Sequence, residues 1–428
     1  MSRRSFLKEI ATMAGVTAGG PLLSMPSLVD LQDRLLSWHG AQPETVQDAE
    51  TFWHEIRQAY TVSPTVMNLN NGGVSPQPRP VQEAVERYHA LSNEAPSYYM
   101  WRILDQGREP LRRQLAELAG CSPEELAIQR NSSEALETVI FGLPLEKGDE
   151  VVLSRQDYPN MINAWKQREL RDGILLKWVD LPLPAEDADT LAEPFLAAFG
   201  PRTKVVHLTH MINWNGQLLP VRKIADAAKA RGIEVLVDAA HTFAHITYSI
   251  PDLNCDYLGT SLHKWLCAPF GTGMLYVRKD KVAPLYPLLA APDPKSGDIR
   301  KFENLGTRSF AIEQGIGQAI LFHRLIGGER KMKRLQYLKE YWTSRVKEWP
   351  EVSFGSPLSE TASCAIALLR IAGKTPTEVS QQLFDRYKIH TVAIDWENLH
   401  GVRITPNVYT TLSELDTLVE AVGTLCQR

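Results

Sequence analysis

The chain has 428 residues, a formal net charge of −4 and five cysteines. Because single domains hold about 100–200 residues, this length predicts two lobes, each with a substantial core. The near-neutral charge gives no electrostatic reason to expect a nucleic acid partner. The cysteines follow neither a CxxC nor a zinc-binding spacing, and a chain this long can fold without disulfides. Composition therefore argues against nucleic acid binding and against a disulfide scaffold.

The N-terminus carries an export pattern. Residues 2–8 read SRRSFLK, and a mildly apolar stretch rich in glycine, alanine and threonine follows up to residue 20. Twin arginines in this setting match the signal that the Tat translocase reads. The stretch is too short and too polar for a stable membrane anchor. We therefore predict a Tat signal peptide over residues 1–28 and, in a Gram-negative source, a periplasmic protein; the alternative is an ordinary cytoplasmic N-terminus.

Short runs rich in β-branched residues alternate with helical patterns between about residues 120 and 280. Strands are predicted at 127–130, 150–154, 175–179, 204–209, 234–238, 256–260 and 273–277. One of the helices is predicted over residues 221–231, closed by Gly232. Strand–helix alternation predicts an α/β fold with a mainly parallel sheet that is covered on both faces.

The pattern changes beyond about residue 310. The predicted elements are a long helix over 312–348, a strand over 363–370 and a helix over 376–387. A last helix is expected near Thr411, because Thr411 and Glu414 have the spacing of a capping box. We therefore predict a large domain that includes the N-terminal segment, residues 29–310, and a small α+β domain, residues 311–428.

Polar side chains cluster at the predicted ends of strands, where open α/β sheets bind their ligands. Asp238 ends the run EVLVD, and Lys264 follows the strand over 256–260. The other such residues are Asn213, His241, Ser132 and Ser133, the last two placed before a helix that is predicted to begin at Glu134. These positions predict one binding site at the carboxyl edge of the sheet.

This set of residues suits pyridoxal 5′-phosphate (PLP). A phosphate dianion is best held by the N–H groups and hydroxyls at a helix N-terminus, which residues 131–134 offer. The pyridine nitrogen needs a buried carboxylate to stay protonated, a role that we assign to Asp238. A lysine must form an imine with the cofactor and later move protons, a role that we assign to Lys264. The alternatives are structural: Asp238 could simply form a turn, the two serines could cap a helix, and Lys264 could be a solvent-exposed surface residue.

The run from Asp238 to Arg278 resembles the class V aminotransferase family, especially its isopenicillin-N-epimerase-like branch. Residues 238–241 resemble the DxAH or DxAQ element of that family, and SLHKW at 261–265 resembles its lysine signature. The likeness covers about residues 65–425. It implies a type I PLP fold, with a seven-stranded, mainly parallel sheet and a small C-terminal lobe, and a homodimer whose active sites use both chains.

The resemblance also implies roles for individual residues. Tyr158 would stack on the cofactor ring, and Asn213 would approach its O3′ oxygen. Thr307 would reach the phosphate of the partner subunit, and Arg403 would bind the substrate carboxylate. The cofactor contacts implied in full are Ser132, Ser133, Tyr158, Asn213, Asp238, His241, Ser261, His263, Lys264 and Thr307, with His263 at the phosphate and with Lys264, Asp238 and His241 as the catalytic group. No metal is expected.

Cysteine desulfurases share this fold but need a mobile catalytic cysteine near the C-terminal carboxylate-binding segment. Residues 399–407 contain no cysteine. Cys364 lies in the apolar run SCAIALLR and is predicted to be an inert core residue. Cys267 does not fit the pattern of a nucleophile that accepts sulfur. A desulfurase is therefore set aside.

The reaction type is not encoded by residue types, because geometry decides which bond to the substrate Cα breaks. Transamination, epimerisation, decarboxylation and elimination stay open. A Tat signal on an epimerase-like class V chain resembles the periplasmic enzymes that tailor pyoverdine siderophores. That resemblance implies a peptide whose γ-linked glutamyl end becomes a succinamide through decarboxylation and oxidation. The alternatives are a periplasmic aminotransferase or amino-acid epimerase and, in another class, a non-catalytic PLP-fold binding protein.

Overall fold

The computed structural model describes residues 26–35, 38 and 40–427, with side chains from residue 30 onward. The twin-arginine segment lies outside the described residues, and the predicted signal peptide over 1–28 overlaps only the first turn of helix α1 (Pro26–Leu35). Within the described part, no helix is both long enough and apolar enough to cross a membrane.

The secondary structure alternates along most of the chain. The strands are β1 (Met67–Asn68), β2 (Leu126–Gln129), β3 (Glu150–Ser154), β4 (Leu175–Val179), β5 (Thr203–Thr209), β6 (Glu234–Asp238), β7 (Tyr257–Ser261), β8 (Gly273–Val277), β9 (Val352–Phe354), β10 (Ala367–Ile371), β11 (Ile389–His390), β12 (Val392–Trp396) and β13 (Leu399–Ile404). After α1 the α-helices are α2 (Pro43–Val46), α3 (Glu50–Gln58), α4 (Arg79–Glu94), α5 (Pro96–Tyr98), α6 (Arg108–Ala119), α7 (Ser132–Gly142), α8 (Pro159–Asp172), α9 (Ala188–Ala198), α10 (Val221–Lys229), α11 (Lys279–Val282), α12 (Phe310–Ile326), α13 (Gly328–Val346), α14 (Pro376–Tyr387) and α15 (Leu412–Leu425). A π-helix at Tyr99–Leu104 and short 3₁₀ turns complete the elements used below.

The large sheet has seven strands in the order β2-β8-β7-β6-β5-β3-β4. Only β8 runs against its neighbours; the other pairs in the sheet are parallel. The predicted α/β fold with a mainly parallel sheet of seven strands is therefore confirmed. All seven predicted strands are present, and the predicted bounds differ from the observed ones by at most one residue.

Two apolar cores cover the two faces of this sheet. Val235 and Val237 face one core and Leu236 faces the other, because side chains alternate along a strand. Helices α6, α9, α10 and α12 supply the first core, and α7 and α8 supply the second. Burial on both faces explains why these strands are almost uninterrupted apolar runs in the sequence.

The second sheet has four antiparallel strands in the order β12-β13-β10-β9, packed against α13, α14 and α15. The N-terminal part of the chain lies beside it: β1 and β11 form a separate two-stranded parallel sheet, and Asn70 bridges to Thr405, the residue after β13. The predicted domain boundary at residue 310 stays a prediction. The bridge from Asn70 to Thr405 shows, however, that the segment after residue 67 contacts the end of the C-terminal sheet.

Three predicted element bounds were wrong. The helix over 312–348 is two helices, because Gly327 has φ 91°, a backbone conformation that ends a helix. The strand over 363–370 begins only at Ala367, because the Ala365 N–H donates to His245 Nε2 and not to a neighbouring strand. The helix expected from Glu134 begins at Ser132, because the Asn131 side chain caps it by accepting from the Glu134 N–H.

Candidate active site

Lys264 lies in the turn after β7, at the carboxyl edge of the large sheet. Its Nζ atom is 3.0 Å from Nε2 of His241. Burial lowers the pKa of Lys264 to about 8, an effect that the charge of Asp238 opposes and that of Arg403 assists. A lysine with a pKa near 8 keeps a substantial neutral fraction at neutral pH, and the neutral amine is the form that attacks a carbonyl carbon.

Asp238 is the last residue of β6, and its side chain is buried. Its Oδ1 accepts a hydrogen bond from the Ala240 N–H at 2.9 Å. Burial raises the pKa of this carboxyl, whereas the Ala240 hydrogen bond and the nearby Lys264 lower it. A buried carboxylate that has no ion-pair partner within the described residues favours a cationic group beside it, as a protonated pyridine nitrogen would be.

The turn before α7 collects hydroxyl groups at a helix N-terminus. The backbone N–H of Ser132 donates to Ser261 Oγ at 2.9 Å, and that hydroxyl donates to Ser132 Oγ at 2.9 Å. Gly273 allows β8 to approach this turn, since a Cβ there would lie 2.6 Å from the Asn131 Cα. Ser133 is the next residue of the helix and is partly buried. The geometry suits a phosphate group.

His263 lies between the lysine and the glycine-containing loop before β8. Its Nδ1–H donates to the Thr272 carbonyl at 3.0 Å, so the Nε2 atom is left as the acceptor of a neutral ring. Burial lowers the pKa of His263, and the neighbouring charge of Lys264 lowers it further. To donate to a phosphate, Nε2 would have to gain a proton, which a dianion favours.

Arg403, on β13, is a buried cation with few partners. It donates to the Asn213 carbonyl at 2.7 Å and to Asn70 Oδ1 at 3.0 Å. Burial lowers the pKa of Arg403 to about 10, and no acidic side chain offsets this effect in the described part of the chain. Its Nε and the Asn213 Oδ1 are both buried without a hydrogen-bond partner there. The Arg403 Nε–H is a donor that suits an anionic group, whereas the Asn213 Oδ1 is an acceptor that needs a hydrogen-bond donor, so the two atoms together suit a polar ligand.

Two predicted cofactor contacts are exposed. Tyr158, just before α8, is 38% exposed, and Thr307 is exposed in the loop before α12. Neither side chain forms a hydrogen bond to Lys264, Asp238 or Arg403 in the described structure. The roles of both residues stay predictions, and the role of Thr307 requires a second chain.

Sequence reasoning missed several residues of the site. Asn70 contacts Arg403, and Gly72 lies so close that a Cβ there would be 3.6 Å from the Arg403 Cζ. Asp157 is buried beside Asp238, accepts from Thr209 Oγ1 at 2.7 Å, and has its pKa raised by burial to about 7. Both segments had a sequence signal, because residues 68–76 and 157–160 resemble motifs of the class V aminotransferase family, but among these residues only Tyr158 was given a role.

The residues present fit PLP. A helix N-terminus with two hydroxyls, a buried carboxylate and a lysine with a lowered pKa lie at one sheet edge, and an unpaired arginine acts electrostatically on that lysine. These are the groups required by the phosphate, by the pyridine nitrogen, by covalent attachment and by a substrate carboxylate. No group of His, Cys, Asp and Glu with metal-ligand geometry occurs in the described part.

Comparison with known proteins supports this interpretation. The family profile described as aminotransferase class-V matches residues 67–417. The chain is 29% identical over 391 residues to isopenicillin N epimerase of Streptomyces clavuligerus, covering 87% of this chain and 98% of that protein. It is 28% identical over 309 residues to probable cysteine desulfurase 1 of Mycobacterium leprae, covering 69% of this chain and 48% of that protein.

Solved structures with the same fold include PLP-dependent enzymes. Cysteine desulfurase from Thermococcus onnurineus superposes with a TM-score of 0.75 at 22% identity, over 87% of this chain and 98% of that one. The C-DES variant with glycine linked to its PLP cofactor gives 0.76 at 21% identity, over 85% and 98%. Since the family profile covers most of the sequence, this chain belongs to the class V aminotransferase family and is a PLP-dependent enzyme.

Proposed function

We propose that this enzyme acts in the periplasm on the free α-amino and α-carboxylate end of an amino acid or peptide, and that it converts the glutamyl side chain of a pyoverdine-type siderophore to a succinamide. The observation that carries the proposal is Arg403: a buried arginine whose Nε has no hydrogen-bond partner in the described part of the chain and whose charge acts on Lys264. That pair suits a substrate with a free carboxylate on the same carbon as its amine.

Each residue of the site has its own proposed role in cofactor binding or catalysis. PLP, when bound, supplies an electron sink that weakens one bond to the substrate Cα. Asp238 would hold the proton on the pyridine nitrogen, and the Ser132 and Ser261 hydroxyls would bind the phosphate. Arg403 orients the carboxylate, and Lys264 in its neutral form accepts or returns the proton that moves at Cα.

The proposed active unit is a homodimer. The loop that carries Thr307 continues into Arg308, whose guanidinium lies 4.2 Å from the Phe310 ring centroid and 6.0 Å from that of Trp101. Trp101 is 41% exposed, and Tyr98 nearby on the chain is 56% exposed. Exposed aromatic side chains next to a loop that is assigned to the partner's phosphate support an interface at this place.

Periplasmic action rests on the twin arginines at positions 3 and 4. The test is the double substitution Arg3→Lys and Arg4→Lys, followed by cell fractionation. We expect the protein to stay in the cytoplasm with PLP already attached. Undiminished export of the double variant would contradict the proposal.

The substrate test uses the purified holoenzyme, dioxygen and a siderophore precursor with a γ-linked glutamyl end. The conversion balances when one dioxygen is consumed and carbon dioxide and water are released, because one oxygen atom stays in the new amide. The product is therefore lighter by one carbon, two hydrogens and one oxygen, which mass spectrometry detects. An unchanged precursor mass would contradict the proposed conversion.

Amino-acid epimerisation is the second candidate, favoured by the 29% identity to isopenicillin N epimerase over 98% of that protein. An epimerase keeps the substrate mass in water but incorporates one deuterium at Cα in D₂O, so the same experiment separates the two reactions. A periplasmic aminotransferase would instead release a keto acid from the substrate end.

Desulfurase activity is not proposed, although cysteine desulfurases are among the relatives. Cys364 is fully buried in the core, as predicted, and burial raises its pKa to about 12. Cys267 is also buried, at 1% exposure. A thiol needs exposure and a lowered pKa to act as a nucleophile, and neither residue provides both.

A further inference from the structure

Trp265, the residue after Lys264, is completely buried and faces two histidines. Its indole Nε1–H donates to Nδ1 of His241 at 3.4 Å, a long hydrogen bond. Its ring stacks on that of His245, with ring centroids 3.6 Å apart and planes 9° from parallel. His245 is itself held at both nitrogens: Nδ1–H donates to the His241 carbonyl at 2.7 Å, and Nε2 accepts from the Ala365 N–H at 3.1 Å.

The two hydrogen bonds of the His241 ring allow only one assignment of donors and acceptors. An indole N–H can donate but not accept, so Nδ1 of His241 must carry a lone pair. A neutral imidazole that accepts at Nδ1 carries its proton on Nε2. That proton points at Lys264 Nζ, 3.0 Å away, which accepts it only as an uncharged amine.

We propose that Trp265 is a positioning residue that fixes the Nε2–H tautomer of His241, so that the histidine donates to Lys264 and favours the neutral amine form of the lysine. The inference deepens the proposed function, since it rests on Lys264 as the attachment lysine for its consequence, but the tautomer itself is a property of the chain without cofactor. An imidazole with the opposite tautomer would accept at Nε2 and would stabilise a charged lysine instead.

The electrostatic surroundings of His241 agree with a neutral ring, which the Nε2–H tautomer requires. Burial and the charges of Lys264, Arg403 and His245 place the pKa of His241 well below its ordinary value, so its ring is neutral. The other charged or titratable groups that face these residues are Asp238, Arg403 and His263 around Lys264, and Lys331, whose ammonium donates to the Trp265 carbonyl. Among the described residues, the hydrogen-bond partner of His241 Nδ1 is the Trp265 indole N–H.

The chain offers a matched control. Trp165 on α8 donates its indole N–H to Nδ1 of His207 on β5 at 3.1 Å, in the core on one face of the large sheet. Both partners are buried, and burial lowers the pKa of His207 to about 3. The Trp165→Phe variant removes an indole donor from a buried histidine without touching Lys264.

The first measurement is the ¹⁵N chemical shifts of the His241 ring in the wild-type apoprotein above pH 8, where Lys264 is mainly a neutral amine, assigned by their loss in His241→Gln. We expect a neutral ring with its proton on Nε2. A proton on Nδ1, or a charged ring, would overturn the inference. This arm needs no tryptophan variant, so it remains decisive if Trp265→Phe fails to fold.

The second measurement is the pH dependence of the rate at which PLP attaches to the apoprotein. Trp265→Phe keeps an aromatic ring against His245 but removes the donor, so His241 can accept from a charged Lys264. We expect the midpoint of the profile to move to higher pH and the rate at neutral pH to fall roughly two- to tenfold, the effect of one hydrogen bond. Trp165→Phe should leave the midpoint unchanged.

An unchanged midpoint in Trp265→Phe, or an equal shift in Trp165→Phe, would contradict the positioning role. Failure of the proposed function looks different: PLP would attach to Lys264→Ala, or the holoenzyme would leave the siderophore precursor unchanged, while the ¹⁵N shifts of His241 would still report the tautomer.

Discussion

The lysine side and the carboxylate side of the candidate site are assembled in different ways. Asp238, His241 and Lys264 come from one stretch of chain that covers the ends of the neighbouring strands β6 and β7. Arg403 comes from β13 of the second sheet, and its contacts Asn213 and Asn70 come from two further segments. The lysine side therefore depends on the local geometry of strand ends, whereas the carboxylate side depends on the packing of the two sheets.

This difference predicts how each side responds to substitution. Changes on the lysine side should affect cofactor attachment and chemistry. Changes on the carboxylate side should leave the cofactor in place and affect substrate binding and orientation.

Lys264→Ala should abolish covalent attachment of PLP, because it removes the amine that the site holds partly neutral. Borohydride reduction followed by mass spectrometry of the intact chain measures the attachment. Lys339 is a matched control, since it is also buried and also has its pKa lowered by burial to about 8. Lys339→Met should still be labelled. Label on Lys264→Ala would show that another lysine attaches the cofactor.

Asp238→Asn should retain covalently attached PLP but lose turnover by at least about a hundredfold, because the amide cannot hold a proton on the pyridine nitrogen. The measurement combines cofactor absorbance with the rate of substrate consumption. Near-normal turnover in this variant would remove the assigned role of Asp238.

Arg403→Lys should lower kcat/KM roughly ten- to a hundredfold, because a point-charge ammonium cannot match both carboxylate oxygens as a planar guanidinium does. This range corresponds to about 1.5–3 kcal/mol, the usual contribution of a charge-assisted hydrogen bond. The absorbance of the resting cofactor should stay unchanged. Loss of PLP from the variant would mean that Arg403 is structural and that the two sides are not independent.

The pH profile of cofactor attachment gives the smallest and most graded effect. The neutral form of Lys264 attacks the cofactor, and its pKa is lowered to about 8. The attachment rate should therefore rise about tenfold per pH unit below pH 8 and level off above it. A midpoint near the ordinary lysine pKa would show that the burial of Lys264 does not lower its pKa.

Much of the large sheet could be predicted, because strands that are buried on both faces appear as short apolar runs separated by turns. The errors occurred where a single contact decides a boundary. Gly327 splits a pattern that is continuous in its hydrophobic spacing, and the Ala365 N–H is taken by a histidine far away in the sequence. Neither contact leaves a periodic signal.

Residue types and their spacing were enough to predict the family, the cofactor and the positions in the chain of the strands that precede Lys264 and end at Asp238, since these follow from local motifs. The folded structure was needed to show that Arg403 is buried with no counter-ion among the described residues and that Trp265 lies against His241. Both facts depend on how separate segments pack: a hydrogen bond or a missing ion pair between residues far apart in the chain depends on distances in space, which residue types and spacing do not specify.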